Sequence, residues 1–82
     1  MTVREFTSRM WYMQKVVVIK WRKFDPNHWN SEQNIDPVKT AEELAEYVGT
    51  PHKLRSINYN HINDMLVDSY GAIDDTIIIE VY

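Results

Sequence analysis

Aromatic and basic side chains alternate between residues 11 and 29, and they are the groups in this sequence best suited to chemistry. Such a series can stack on nucleobases and pair with phosphates. For Trp11 and Trp21 the favoured interpretation is core packing. Trp29 falls in a predicted polar loop and is interpreted either as a binding anchor or as a loop-pinning residue. The candidate binding residues are Lys20, Trp21, Arg22, Lys23, His28 and Trp29.

The other reactive residue types do not form a recognisable motif. His28, His52 and His61 are 24 and 9 positions apart, without the close pair that metal sites usually show. The chain has no cysteine and only two glycines, which excludes thiolate sites and glycine-rich phosphate loops. We therefore predict no catalytic residues, no metal, no cofactor and no enzymatic activity.

Charge is distributed unevenly along the chain. Residues 1–24 contain six basic residues against Glu5 alone, whereas residues 25–82 contain three basic residues against eleven acidic ones. This asymmetry can indicate a surface that binds polyanions. The favoured alternative is that the two segments pack together and neutralise each other.

Length and composition set the class of protein. The chain has 82 residues, of which 44% are hydrophobic and 26% are charged. We expect residues 1–82 to fold as a single domain. The longest apolar runs, Val16 to Ile19 and Ile77 to Ile79, are far shorter than the roughly 20 residues that span a membrane. The absence of cysteine and of a secretory signal favours a soluble protein of the cytoplasm, with no membrane partner.

The elements that must position these residues begin with a helix and a strand. Thr2 and Glu5 form a capping-box pattern, and an apolar stripe from Val3 to Met13 predicts a helix over about 3–13 whose apolar face is core. Residues 15–23 are rich in β-branched residues and predict a strand, buried on both faces in its first half. Phe24 to Lys39 reads as a long loop.

The second half of the sequence predicts a helix and a hairpin. Thr40 and Glu43 suggest a second capping box, and Gly49 and Pro51 are expected to end the helix that follows. The predicted helix spans about 41–48. Residues 52–65 are irregular or short-helical, and 66–82 form a hairpin that turns at Asp74-Asp75. The predicted fold class is α+β, a small mixed or antiparallel sheet with two short helices on one face.

The two ends of the chain resemble a known group of proteins. The opening MTVREF, followed by KVVVI, and the ending DTIIIEVY are similar to the ends of small accessory proteins of phages and prophages of Gram-positive bacteria. That group is mostly uncharacterised and implies no site residues. The resemblance does imply that anti-defence activity, of the kind anti-CRISPR proteins have, should be considered.

Three hypotheses for function follow from these observations. The first is a non-catalytic phage-type inhibitor that binds a bacterial defence protein directly, in the cytoplasm of the host cell. The second is a sponge that sequesters a signalling nucleotide, with Lys20, Arg22 and Trp21 or Trp29 holding phosphate and base. The third is a small nucleic-acid-binding phage protein, and the overall acidity argues against it. A homo-oligomer through edge strands of the hairpin is compatible with each.

Overall fold

The structure is a computed structural model, and it describes residues 1–20 and 37–82. In this part of the chain a four-stranded mixed sheet is accompanied by short helices, which makes the fold α+β as predicted. The helices are α1 (Val3–Thr7), α2 (Pro37–Leu44), α3 (Pro51–Leu54) and α4 (Asn60–Asn63), with a 3-10 turn at Ile57–Tyr59. The strands are β1 (Lys15–Lys20), β2 (Tyr47–Gly49), β3 (Val67–Ile73) and β4 (Thr76–Val81).

The strand order across the sheet is β2-β1-β4-β3. β1 is antiparallel to β2 and parallel to β4, and β3 and β4 form an antiparallel hairpin. Val16 to Ile19 of β1 are all completely buried, because their side chains alternate between two core clusters, one on each face of the sheet. Continuous apolar runs are typical of strands that are covered on both faces.

The hairpin of residues 66–82 is confirmed, and the turn lies at Asp74 and Asp75 between the paired residues Ile73 and Thr76. Asp74 has a positive φ of 53°, a conformation that aspartate tolerates better than most residues. In β4 the side chains of Ile77, Ile79 and Val81 face one core cluster and Ile78 the other, as the alternation predicts.

The helices lie on both faces of the sheet, so the prediction of helices on one face was wrong. One face carries the larger cluster, to which α1, α3 and α4 contribute Val3, Leu54 and Ile62. On the other face Ala41 of α2 packs with Val17 and Ile19. Because β1 is buried on both faces, each face of the sheet needs an element that covers it. α2 covers the second face.

The first helix is much shorter than the predicted 3–13. The capping box of Thr2 and Glu5 is present, but the helix ends at Thr7. The hydroxyl of Thr7 donates to the carbonyl oxygen of Val3 at 2.9 Å, and that of Ser8 donates to Glu5 at 2.8 Å. Side-chain bonds of this kind compete with helix propagation. Phe6 and Met10 still pack on the core.

The second helix begins four residues before the predicted 41–48 and ends at Leu44. Its first residue is Pro37, since proline is favoured at the first helical position. The capping box predicted at Thr40 therefore falls inside the helix and was wrong. The backbone N–H of Glu46 donates to Val18 at 2.8 Å, and this bond leads the chain into β2. The short-helical prediction for residues 52–65 is confirmed by α3, the 3-10 turn and α4.

Candidate functional site

The binding residues predicted from the sequence are only partly covered by the structure. Lys20 is the exposed last residue of β1 and pairs in register with Val81 of β4. The other predicted binding residues, and the predicted strand beyond Lys20, lie outside the described residues: Trp21, Arg22, Lys23, His28 and Trp29. They stay a prediction.

Trp11 is a surface residue, so the favoured interpretation of it as a core anchor was wrong. Its side chain is 65% exposed, and the side chains of Tyr12 and Met13 are exposed by 53% and 50%. These residues follow the early end of α1 and form a turn that leads into β1. The prediction that Met13 belongs to the core was wrong for the same reason. Here we call Trp11, Tyr12, Met13 and the neighbouring His52 the Trp11 patch.

Backbone hydrogen bonds and ring contacts hold the Trp11 patch in place. The N–H of Gln14 donates to the carbonyl of Trp11 at 3.0 Å, and the N–H of His52 donates to that of Tyr12 at 3.2 Å. The ring of Tyr12 makes edge contacts with Trp11 and with His52, both at centroid distances of 6.1 Å. The patch is therefore anchored to α3 as well as to its own turn.

The Trp11 patch exposes three residue types that are common in protein interfaces. Tyrosine, tryptophan and methionine are enriched in interfaces, where they supply large contact areas with few rotatable bonds. Lys15, which follows the turn, forms an ion pair with Glu42 of α2. The carboxylate of Glu42 therefore partly compensates the positive charge of Lys15 next to the patch.

A second candidate lies where α1 faces α3, the 3-10 turn and α4. It is a cleft of about 440 Å³ whose lining includes Arg4, Thr7, Arg55, Ile57, Asn60 and Asn63, here called the arginine cleft. Nη2 of Arg4 donates to Oδ1 of Asn60 at 3.4 Å across it. Among the described residues, none that lines this cleft is acidic.

The buried polar groups of the arginine cleft already have partners within the fold. The hydroxyl of Thr7 donates to Val3, and Nδ2 of Asn63 donates to the carbonyl oxygen of Leu54 at 2.6 Å. The two guanidinium groups provide most of the side-chain N–H donors that line the cleft. Sequence reasoning missed this cleft because Arg4 and Arg55 are far apart in the chain, and only the tertiary fold brings them together.

Shifted pKa values among the described residues have structural causes. The backbone N–H and the hydroxyl of Thr2 hold the pKa of Glu5 below its ordinary value of 4.5. Burial raises the pKa of Tyr47, which donates to the carbonyl oxygen of Thr50 at 2.7 Å. A hydrogen bond to Asp68 raises the pKa of the Tyr82 phenol. These groups do not form a shared site, and within the described residues no three metal-ligating side chains come together.

Comparisons with known proteins add no functional assignment. No protein-family model, no curated protein and no solved structure matches the chain. Among the described residues, no helix is long and apolar enough to cross a membrane. Within residues 1–20 and 37–82, the Trp11 patch and the arginine cleft are candidate functional surfaces.

Proposed function

We propose that this protein is a non-catalytic inhibitor that binds a bacterial defence protein directly, in the cytoplasm of the host cell, and that the Trp11 patch is its binding surface. The observation that carries the proposal is the exposure of Trp11, Tyr12 and Met13 on a turn that is fixed by hydrogen bonds at both ends. Three large side chains in succession on the surface have no role in the core. A partner would bury them.

Preorganisation supports binding by this patch. Association loses free energy when mobile loops and side chains become ordered. Here Gln14 and His52 already hold the turn through backbone hydrogen bonds, and the ring contacts restrict Tyr12. Less ordering therefore opposes complex formation. Exposed tryptophan and tyrosine are the residue types in which the binding energy of interfaces is concentrated.

The class of partner is suggested by the ends of the chain. The opening MTVREF and the ending DTIIIEVY resemble small phage and prophage accessory proteins, for which host defence proteins are the targets to consider. Direct binding requires no catalytic group in the inhibitor.

The test is a comparison of matched variants in a bacterium that carries an active defence system. The tagged protein is purified from this strain, bound proteins are identified by mass spectrometry, and phage plating is measured in parallel. We expect the wild type to recover a defence component and to restore plating, and Trp11→Ala and Tyr12→Ala to lose both. Tyr82→Ala is the control, because Tyr82 is exposed to a similar degree outside the patch.

Truncation of a central aromatic residue in an interface costs about 2 kcal/mol or more, which weakens binding roughly 30-fold. Isothermal titration with the recovered component should show this loss for Trp11→Ala and none for Tyr82→Ala. Recovery of no defence component from strains with different systems would contradict the function. Equal recovery by Trp11→Ala and wild type would contradict the surface.

A further inference from the structure

We propose that the arginine cleft binds the phosphate group of a small phosphorylated ligand, of the size of a nucleoside monophosphate. The cleft is formed by residues distinct from the Trp11 patch, and the proposal does not depend on a protein partner. Arg4 and Arg55 would pair with the phosphate oxygens, and the apolar side chain of Ile57 would contact the rest of the ligand.

The arginine cleft carries positive charge that no acidic residue of its described lining compensates. Within residues 1–20 and 37–82, neither Arg4 nor Arg55 forms an ion pair, whereas Lys15 is paired with Glu42. The guanidinium group presents its N–H donors in a planar fork that matches two oxygens of a phosphate. Two such groups on one cleft, without an acidic residue among its described lining, favour an anion of more than one charge.

Hydrogen bonds within the fold hold parts of the arginine cleft in place. Asn60 accepts a hydrogen bond from Arg4, which orients one guanidinium group from the opposite wall. Asn63 ties α4 to the end of α3 through Leu54, so the walls that carry Asn60 and Arg55 are held together. The guanidinium group of Arg4 is thus oriented before a ligand arrives, which reduces the ordering that binding requires.

Size and lining identify the class of ligand. A cleft of about 440 Å³ exceeds the needs of a phosphate ion and falls within the ordinary range of small-molecule sites. Ile57 is 78% exposed and offers apolar surface beside the arginines. A ligand that combines a phosphate with a flat apolar part, as a nucleotide does, matches both features.

The experiment is an NMR titration of the full ¹⁵N-labelled chain with adenosine 5′-monophosphate, inorganic phosphate and adenosine, at constant ionic strength. We expect adenosine 5′-monophosphate to shift the resonances of the cleft, including the side-chain Nε–H signals of Arg4 and Arg55. Stronger binding of the nucleotide than of inorganic phosphate shows that the nucleoside part contacts the cleft. Equal binding of the two would support the phosphate site but would contradict a contact between Ile57 and the nucleoside part.

Charge-removing variants decide whether the cleft is responsible. Arg4→Gln and Arg55→Gln should each weaken binding about tenfold, as expected for loss of a charge-assisted hydrogen bond. The control is Arg9→Gln, which removes the same charge from an exposed arginine that does not line the cleft, and it should change affinity less than about twofold. Thermal unfolding of each variant confirms that the fold is retained.

Three results would overturn the proposal. One is the absence of shifts with either phosphate compound at millimolar concentration, and another is equal binding of adenosine, which has no phosphate. The third is an equal loss for Arg9→Gln and the cleft variants, because this would indicate general electrostatic attraction. All three are independent of whether the Trp11 patch binds a protein.

Discussion

The phenol ring of Tyr47 lies over the backbone of Gly49. A Cβ atom on residue 49 would be 2.5 Å from the hydroxyl oxygen of Tyr47 and 2.9 Å from its Cζ. Tyr47 is only 5% exposed and is held by its hydrogen bond to Thr50. The ring therefore has little freedom to move away, and residue 49 must be glycine for reasons of space.

Gly49→Ala should destabilise the protein by about 1–3 kcal/mol, because overpacking forces side chains or backbone to shift. Urea-induced unfolding measures the change in the free energy of unfolding. Combined with Tyr47→Phe, which removes the closest atom, the loss should be less than the sum of the two single variants. The control is Gly71→Ala in β3, where a Cβ atom meets nothing within 4 Å, and it should be neutral or stabilising. Equal losses for Gly49→Ala and Gly71→Ala would contradict the steric argument.

The buried amide of Asn63 should be the most sensitive polar group near the arginine cleft. It is 4% exposed and donates to the carbonyl oxygen of Leu54 at 2.6 Å. Asn63→Ala leaves this carbonyl without its partner, and we expect a loss of about 1–3 kcal/mol in the free energy of unfolding. Thermal and urea unfolding provide the measurement. The control is Asn58→Ala, a change at an exposed residue of the 3-10 turn, whose free energy of unfolding should stay within about 0.5 kcal/mol of wild type. A loss as large as that of Asn63→Ala would contradict the role of the buried hydrogen bond.

Local patterns predicted the central strand and the hairpin well. Val16 to Ile19 form a continuous apolar run, and such a run requires cover on both faces wherever the strand lies. In the hairpin, the β-branched run from Thr76 to Val81 predicted the last strand, and two aspartates marked the turn. These features depend on neighbours in sequence, so the sequence alone was sufficient.

The features that failed depend on tertiary contacts or on competing hydrogen bonds. Val3, Phe6 and Met10 of the predicted apolar stripe pack on the core, but the helix ends at Thr7, where the hydroxyls of Thr7 and Ser8 bond back to the backbone. The three-residue strand β2 exists because it pairs with β1, which no local propensity encodes. Trp11 is a surface residue because the helix ends early. Arg4 and Arg55 line the same cleft only because α1 packs against the helices that follow β2.

The turn of the hairpin provides a backbone test. Asp74 has a φ of 53°, where a β-branched residue is strained by about 1–2 kcal/mol. Asp74→Val should lower the free energy of unfolding by that amount, whereas Asp74→Gly should be neutral or stabilising. Asp75→Val is the control, since Asp75 does not have a positive φ. Chemical unfolding measures all three variants, and equal losses at residues 74 and 75 would contradict an effect of backbone conformation.

The capping box gives a prediction for acid. Hydrogen bonds from Thr2 stabilise the ionised form of Glu5 and lower its pKa in the folded state. This contribution to stability is therefore fully present above the ordinary pKa of 4.5. It is lost as the pH falls through the lowered pKa of the folded state. Thr2→Ala removes the hydroxyl but keeps the backbone N–H, and it should raise the pKa only part of the way back. An NMR titration of the Glu5 carboxyl carbon measures this, with Ser8→Ala as control. An unchanged pKa in Thr2→Ala would show that the hydroxyl does not contribute, and an upward shift of the same size in Ser8→Ala would contradict its specificity.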